Sequence, residues 1–120
     1  VGLDVTEKCQ LSYEHFVWIK SRTAPLSVFL STLISRWTGE ENSSKLPILH
    51  DPLAVCAVFD TEILQFESAE IYVELNGRFT RGLTFNKPDY NKSRQNVYVA
   101  REVKNKEFIE LFMNRVFPEK

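Results

Sequence analysis

His50 and Asp51 stand side by side in "KLPILHDPLA", residues 45–54. An imidazole that titrates near neutrality beside a carboxylate can move a proton and hold a cation. The flanking residues set the pair at a seam. The apolar run Leu46–Leu49 ends at it, and a second apolar stretch begins after Pro52. The run reads as a strand and the stretch as a helix, and in open α/β sheets ligands bind where a strand's carboxyl end meets a helix. The helix N-terminus adds a partial positive charge that favours an ionised Asp51. A purely local reading is also open: Asp51 caps the helix, Pro52 fills its first position, and His50 is an ordinary satisfied or solvated side chain. The two roles of Asp51 are compatible, because one carboxylate oxygen can cap while the other binds a cation. Calcium takes about six to eight oxygens, so a metal on Asp51 needs ligands that this chain does not contain.

Other groups rate lower. There is no Gly-rich phosphate loop, CxxC, HExxH or GxSxG. His15, beside Glu14, reads as a surface residue of an early helix. Asp4 and Thr6 read as turn residues, Arg78 and Arg81 as solvated charges flanking a hairpin, and Trp37 as core. Tyr90 lies in a long loop within reach of a neighbouring site. Cys9 and Cys56 are too few and too far apart for a disulfide framework or a zinc site, which leaves two free thiols and a reducing compartment. The sequons at Asn42 and Asn91 are common by chance and carry little weight.

The elements that must position the pair follow from periodicity. With 43% apolar and 26% charged residues the 120-residue chain is globular, one domain or a piece of a larger one. A net charge of −1 without a basic cluster argues against nucleic acid as a partner. The apolar runs are too short to span a membrane, and no signal peptide is visible. "VGLDV" reads as a strand; an abrupt apolar start without Met suggests a segment cut from something longer. Ser12 caps a helix carrying Tyr13, Phe16, Val17 and Lys20. Pro25 opens a second helix, whose stripe Leu26, Phe29, Leu30, Leu33, Ile34 and Trp37 ends at Gly39. "EENSSK" is a polar loop, and Pro52–Phe59 the next helix. "SAEIYVEL" and "RFTRGLTF" alternate about Asn76-Gly77, predicting an antiparallel β-hairpin at residues 70–85 with Ile71, Val73 and Leu75 on one face. "NKPDYNKSRQ" is a loop and "NVYVA" a short strand. The closing helix "NKEFIELFMNRVF" turns Phe108, Ile109, Phe112, Met113 and Val116 inward. Alternating helices and strands with an added hairpin make the class α/β.

"LPILHDPLAV" resembles the C-terminal part of the inosine-uridine-preferring nucleoside hydrolases. The resemblance runs forward through "FESAEIYVELNGRFTRGLTFNKPD", back to "VGLDVTEK", and on to "NVYVAREVKNKEFIELFMNRVF". It covers nearly all of this chain but about the last third of a family member. It implies an open sheet flanked by helices, and hydrolysis of the N-glycosidic bond of purine or pyrimidine ribonucleosides to ribose and free base. His50 matches the histidine that activates the leaving base, and Asp51 the aspartate that binds calcium from the C-terminal side. It further implies that residues 1–120 lack the N-terminal aspartate cluster, so that this fragment alone neither binds calcium tightly nor turns over. A cytoplasmic location and a homo-oligomer of the full-length protein are expected. A different class of reading is a non-catalytic module of the same fold that assembles with a partner chain.

Overall fold

The computed structural model describes residues 1–39, 45–86 and 97–118. In chain order these form α1 (Leu3–Thr6), α2 (Tyr13–Lys20), α3 (Pro25–Thr38), α4 (His50–Phe59), a 3₁₀ turn (Thr61–Ile63), β1 (Leu64–Ala69), β2 (Ile71–Val73), β3 (Thr84–Asn86), β4 (Val97–Val103) and α5 (Asn105–Val116). Helices combine with two small antiparallel sheets, β1–β4 and β2–β3, which bears out a mixed α/β class with an antiparallel hairpin. No described helix is long and apolar enough to cross a membrane.

The first stretch is helical where a strand was predicted. The Gly2 carbonyl accepts from the amides of Val5 and Thr6, and the Thr6 carbonyl accepts from Cys9. One helical turn brings Val5 and Cys9, four residues apart, to the same side. Both are fully buried, whereas Leu3, which a strand would put beside Val5, is 67% exposed. Val5 and Cys9 join Leu53 and Cys56 of α4 in the core.

Helix α2 starts as read, at Ser12, whose hydroxyl accepts from the His15 amide while the His15 ring accepts from the Ser12 amide. Its buried face carries Phe16 and Ile19 rather than Tyr13 and Val17. Helix α3 has both predicted ends, Pro25 at the start and Gly39 in the left-handed region at φ 68°. Its orientation differs from expectation. Ser27, Ser31, Ser35 and Thr38 are buried, while Leu26, Phe29, Leu33 and Trp37 are exposed. Small side chains four residues apart make a low ridge on the helix, and α3 lies in contact with α2. Their hydroxyls add no unsatisfied burial: Ser31 donates to the Val28 carbonyl and Thr38 to Ile34.

The run Leu46–Leu49 is not a strand. It makes a single antiparallel bridge, Gln10 with Ile48, supported by Leu11 N–H to Pro47 O at 3.0 Å and Leu49 N–H to Cys9 O at 2.9 Å. Pro47 cannot donate, which keeps the ladder short. Behind α1, β1 and β4 pair from Leu64↔Val103 to Ala69↔Val97, with a bulge where Gln65 opposes Glu102 but Phe66 opposes Ala100. Arg101 is the extra residue, and its Nε donates to Glu67 at 2.8 Å. Helix α5 buries Phe108, Ile109 and Met113, with Phe112 and Val116 half-buried against the core, as read. Leu53, fully buried at the centre, is the sharpest packing test. Leu53→Ala should cost about 2–5 kcal/mol, read as a lower urea midpoint at unchanged m-value.

The hairpin keeps its pairing and loses its predicted turn. Ile71, Tyr72 and Val73 pair with Asn86, Phe85 and Thr84, and the Tyr72 and Phe85 rings stack at 5.9 Å. Residues 74–83 connect the strands, so Leu75 lies outside β2 and Asn76-Gly77 is not a two-residue turn. An Asn-Gly turn of this kind needs positive φ at both central residues, and Gly77 does not have it; the glycine of this segment that does is Gly82, at 88°. Gly77 is needed for space instead: a Cβ there would collide with the Thr80 hydroxyl. The Glu74 carboxylate accepts from the amides of Asn76 and Gly77 at 2.8 and 3.0 Å. These bonds hold its carboxyl below the usual range, against a smaller opposing effect of burial. A lowered native value stabilises the loop above the unfolded carboxyl's titration, and the gain fades as pH falls through the native one. In a carboxyl-carbon NMR titration, Glu74 should protonate at lower pH than the exposed glutamates, and the Asn76 and Gly77 amides should shift with it. Asn86, the first residue of the predicted loop "NKPDYNKSRQ", belongs to β3; the rest of that loop with Tyr90, both sequons and most of "EENSSK" lie outside the described residues.

Candidate functional site

His50 is the first residue of α4 and Asp51 the second, with Leu49 in the capping position. The expected capping by Asp51 does not occur. The helix starts two residues earlier than Pro52 would suggest, because the Ile48 and Leu49 carbonyls already accept from His50 and Leu53. Pro52 falls in the first turn, where a missing amide hydrogen leaves no bond unmade. Asp51 is exposed, and its carboxylate makes no hydrogen bond or ion pair with any described residue. It lies in the first turn of α4, where the helix dipole favours negative charge.

The bridge between residues 9–11 and 47–49 sets the site's geometry. It ties the chain after α1 to the chain before α4, bringing Thr6 to His50 across 44 residues of sequence. Thr6 is buried, and its Oγ1 lies 2.7 Å from His50 Nδ1. Thr6 reads from the sequence as a turn residue; no local signal marks a contact so far along the chain. His50 is half-buried. It lines a cleft of about 820 Å³ with Gln10, Leu33, Trp37, Lys45 and Ile48. The Gln10 amide nitrogen donates to the Leu46 carbonyl at 2.8 Å, fixing that wall.

Trp37, read as core, is 66% exposed and stands on this cleft. The serine ridge of α3 causes this, since burying Ser27, Ser31 and Ser35 turns the apolar stripe outward. Spacing those serines four apart was visible in the sequence and was the signal that could have found it. Asp4, His15, Arg78 and Arg81 do not line this cleft.

Among the described residues no group of three or more His, Cys, Asp and Glu is placed to hold a metal ion. Cys9 and Cys56 are free, buried thiols. Burial pushes both thiols up; the neighbouring Cys56 adds to the rise at Cys9, where Lys8 opposes it, and Asp60 adds to the rise at Cys56. They are therefore protonated at neutral pH and poor nucleophiles. The chemistry at hand is a histidine on an apolar, aromatic wall, with an uncommitted carboxylate next to it.

The profile of the inosine-uridine preferring nucleoside hydrolases matches residues 1–110. No curated protein matches the sequence. Among solved structures, a purine-preferring ribonucleoside hydrolase from Gardnerella vaginalis superimposes with a TM-score of 0.82 at 26% identity, over 96% of this chain and 38% of that one. A plant nucleoside hydrolase, PpNRh1, gives 0.81 at 17% identity, over 99% of this chain and 41% of that one. An inosine-guanosine nucleoside hydrolase gives 0.79 at 21% identity, over 94% and 36%. At these identities the last two show a shared fold. The chain spans about two fifths of the length of the solved structures it matches.

Proposed function

This chain belongs to the inosine-uridine preferring nucleoside hydrolase family, and from that we propose that it forms the C-terminal part of an enzyme that cleaves ribonucleosides to ribose and free base. The observation that carries the reading is the placement of His50. It opens α4 on the wall of a cleft shared with Trp37 and Leu33, and one ring nitrogen is already engaged by Thr6. A nucleobase is flat and partly apolar, and an exposed indole offers it a stacking face.

In the proposed reaction the C1′–N bond breaks and its electron pair leaves with the base. His50 donates a proton from Nε2 to a ring nitrogen of that base, so that the base departs neutral. Water adds its oxygen to C1′, and the proton it loses passes to a base outside this chain. The sugar is oxocarbenium-like at the crest of the barrier, so protonating the leaving group lowers the step that creates that charge.

Calcium is the metal the family resemblance implies. Asp51 suits it as one ligand: a hard oxygen donor, exposed and unpaired among the described residues. The described residues as a set do not fit it, since one carboxylate gives at most two of about six to eight oxygens. The ion would need further ligands from outside this chain.

Two apolar faces support the view that more of the fold packs here. Helix α4 is apolar on every side from Pro52 to Phe59, as in fully buried helices, yet Val55, Val58 and Phe59 are exposed, Val58 to 84%. Beside them runs an apolar groove against Phe108, Leu111 and Phe112 of α5. The exposed stripe of α3 is the second face.

The test is a chimera in which this chain replaces the matching segment of the Gardnerella vaginalis hydrolase. The expected outcome is release of ribose and free base from a nucleoside. A chimera that melts cooperatively and binds nucleoside but releases neither product counts against the proposal.

A further inference from the structure

We infer that Thr6 is a positioning residue for His50: it fixes which ring nitrogen carries the permanent hydrogen and so which one faces the cleft. The inference rests on the proposed acid role of His50 for its consequence, but not for its structural content.

A threonine hydroxyl has one hydrogen to donate and two lone pairs with which to accept. Thr6 Oγ1 has two neighbours, the Leu3 carbonyl at 3.4 Å and His50 Nδ1 at 2.7 Å. A carbonyl only accepts, so the contact with Leu3 uses the single hydroxyl hydrogen. Nδ1 must then bring its own hydrogen to the Thr6 lone pair. The opposite arrangement, hydroxyl to Nδ1, leaves the Leu3 contact unmade and that carbonyl with the bond from the Glu7 amide at 2.9 Å alone. The arrangement satisfying both contacts is a relay, His50 Nδ1–H to Thr6 Oγ1–H to Leu3 O.

The relay leaves Nε2 as the nitrogen without a hydrogen in the neutral ring. No described residue hydrogen-bonds Nε2. Nδ1 keeps its hydrogen in the charged and the neutral ring alike, so the relay is unchanged when Nε2 gives its proton away. The ring needs no rotation between the two states. The anchor itself is firm, because Thr6 is buried at 4% exposure in α1, whose Val5 is locked in the core.

His15 supplies an internal contrast. Its Nδ1 accepts from the Ser12 amide at 3.1 Å and lies 2.8 Å from the Ser12 hydroxyl, which itself accepts from the His15 amide; all three contacts are met when the hydroxyl donates to Nδ1 and the neutral ring carries its hydrogen on Nε2. The two histidines of the chain should therefore be opposite tautomers. Long-range ¹H–¹⁵N correlation on this chain, at a pH where both rings are neutral, reads this directly. The expected spectrum has a pyrrole-like Nδ1 and a pyridine-like Nε2 at His50, and the reverse at His15.

Thr6→Val removes the hydroxyl and keeps the shape. It should move His50 towards the Nε2–H form and leave His15 unchanged, and Thr6→Ser should restore the first pattern. In the chimera, Thr6→Val should lower kcat about fivefold, as for a lost hydrogen bond of ordinary strength, with KM little changed and Thr6→Ser recovering the rate. An Nε2–H tautomer at His50 in the unsubstituted chain overturns the inference, as does a pattern that Thr6→Val leaves unaltered. The tautomer is read without turnover, so failure of the hydrolase reading would show separately, as a chimera without activity beside an intact His50 pattern.

Discussion

Replacing His50 by alanine in a chimera that turns over nucleoside should lower kcat by about 10²- to 10⁴-fold, the span of general acid catalysis. KM should change far less. His50 is one part of a broad cleft wall that Trp37, Leu33 and Ile48 still line in its absence. A loss confined to kcat marks an interaction made in the transition state, whereas a rise in KM at constant kcat would mark mere binding. The substitution should be mild on folding, because His50 is half-buried at a helix start and its Thr6 partner can still bond Leu3. Steady-state kinetics with a thermal melt of both proteins separates these outcomes. A second check uses the leaving group. Nucleosides whose base departs readily without a proton should lose less rate in His50→Ala than those with poor leaving groups.

The second large effect concerns calcium. The isolated chain should bind it with a Kd of about millimolar or weaker, the level of the weakest calcium modules. Asp51 is the only ligand assigned, and its free, exposed carboxylate leaves most of the ion's coordination to water. Affinity grows with the number of preorganised oxygens, so joining the chain to the remaining part of a hydrolase should tighten binding to about micromolar or better. Asp51→Ala should then weaken calcium binding in the chimera and remove the weak binding that this carboxylate gives the isolated chain. Titration calorimetry on the four proteins checks both halves. Micromolar affinity in the isolated chain would contradict the assignment.

Much of the fold was legible because its signals are local. Pro25 and Gly39 bound α3, Ser12 caps α2, and the period of Phe108, Ile109 and Met113 lays out α5. What was misread depends on distant partners. "VGLDV" is too short for its period to separate one helical turn from a strand. The strand β1 carries Gln, Glu and Ser among its six residues and shows no clean alternation; β4, which selects it, comes only after β2 and β3 in the chain. Leu46–Leu49 finds only the short stretch around Gln10 to pair with and stays a single bridge.

The site divides along the same line. His50 and Asp51 were legible as neighbours at a helix start, from an apolar run interrupted by His-Asp-Pro. The Thr6 contact and the exposure of Trp37 were not, because both follow from how elements pack. Thr6 reaches His50 only through the bridge between residues 9–11 and 47–49, and Trp37 reaches the cleft only because the serine ridge of α3 takes the inner face. The capping role given to Asp51 failed for a smaller reason. Backbone bonding begins at Leu49, so the carboxylate sits inside the first turn, facing solvent rather than an unpaired amide.

Under this proposal the chain carries the acid and one metal ligand of a nucleoside hydrolase, with the other ligands and the general base supplied from outside it. The most direct measurement is ribose release from nucleoside by the isolated 120-residue chain, with millimolar calcium present, before and after addition of the remaining portion of a family member as a separate chain. The expected result is no release above the uncatalysed background from the isolated chain, and release that appears on addition and is lost again with His50→Ala. Turnover by the isolated chain that survives Asp51→Ala would contradict it.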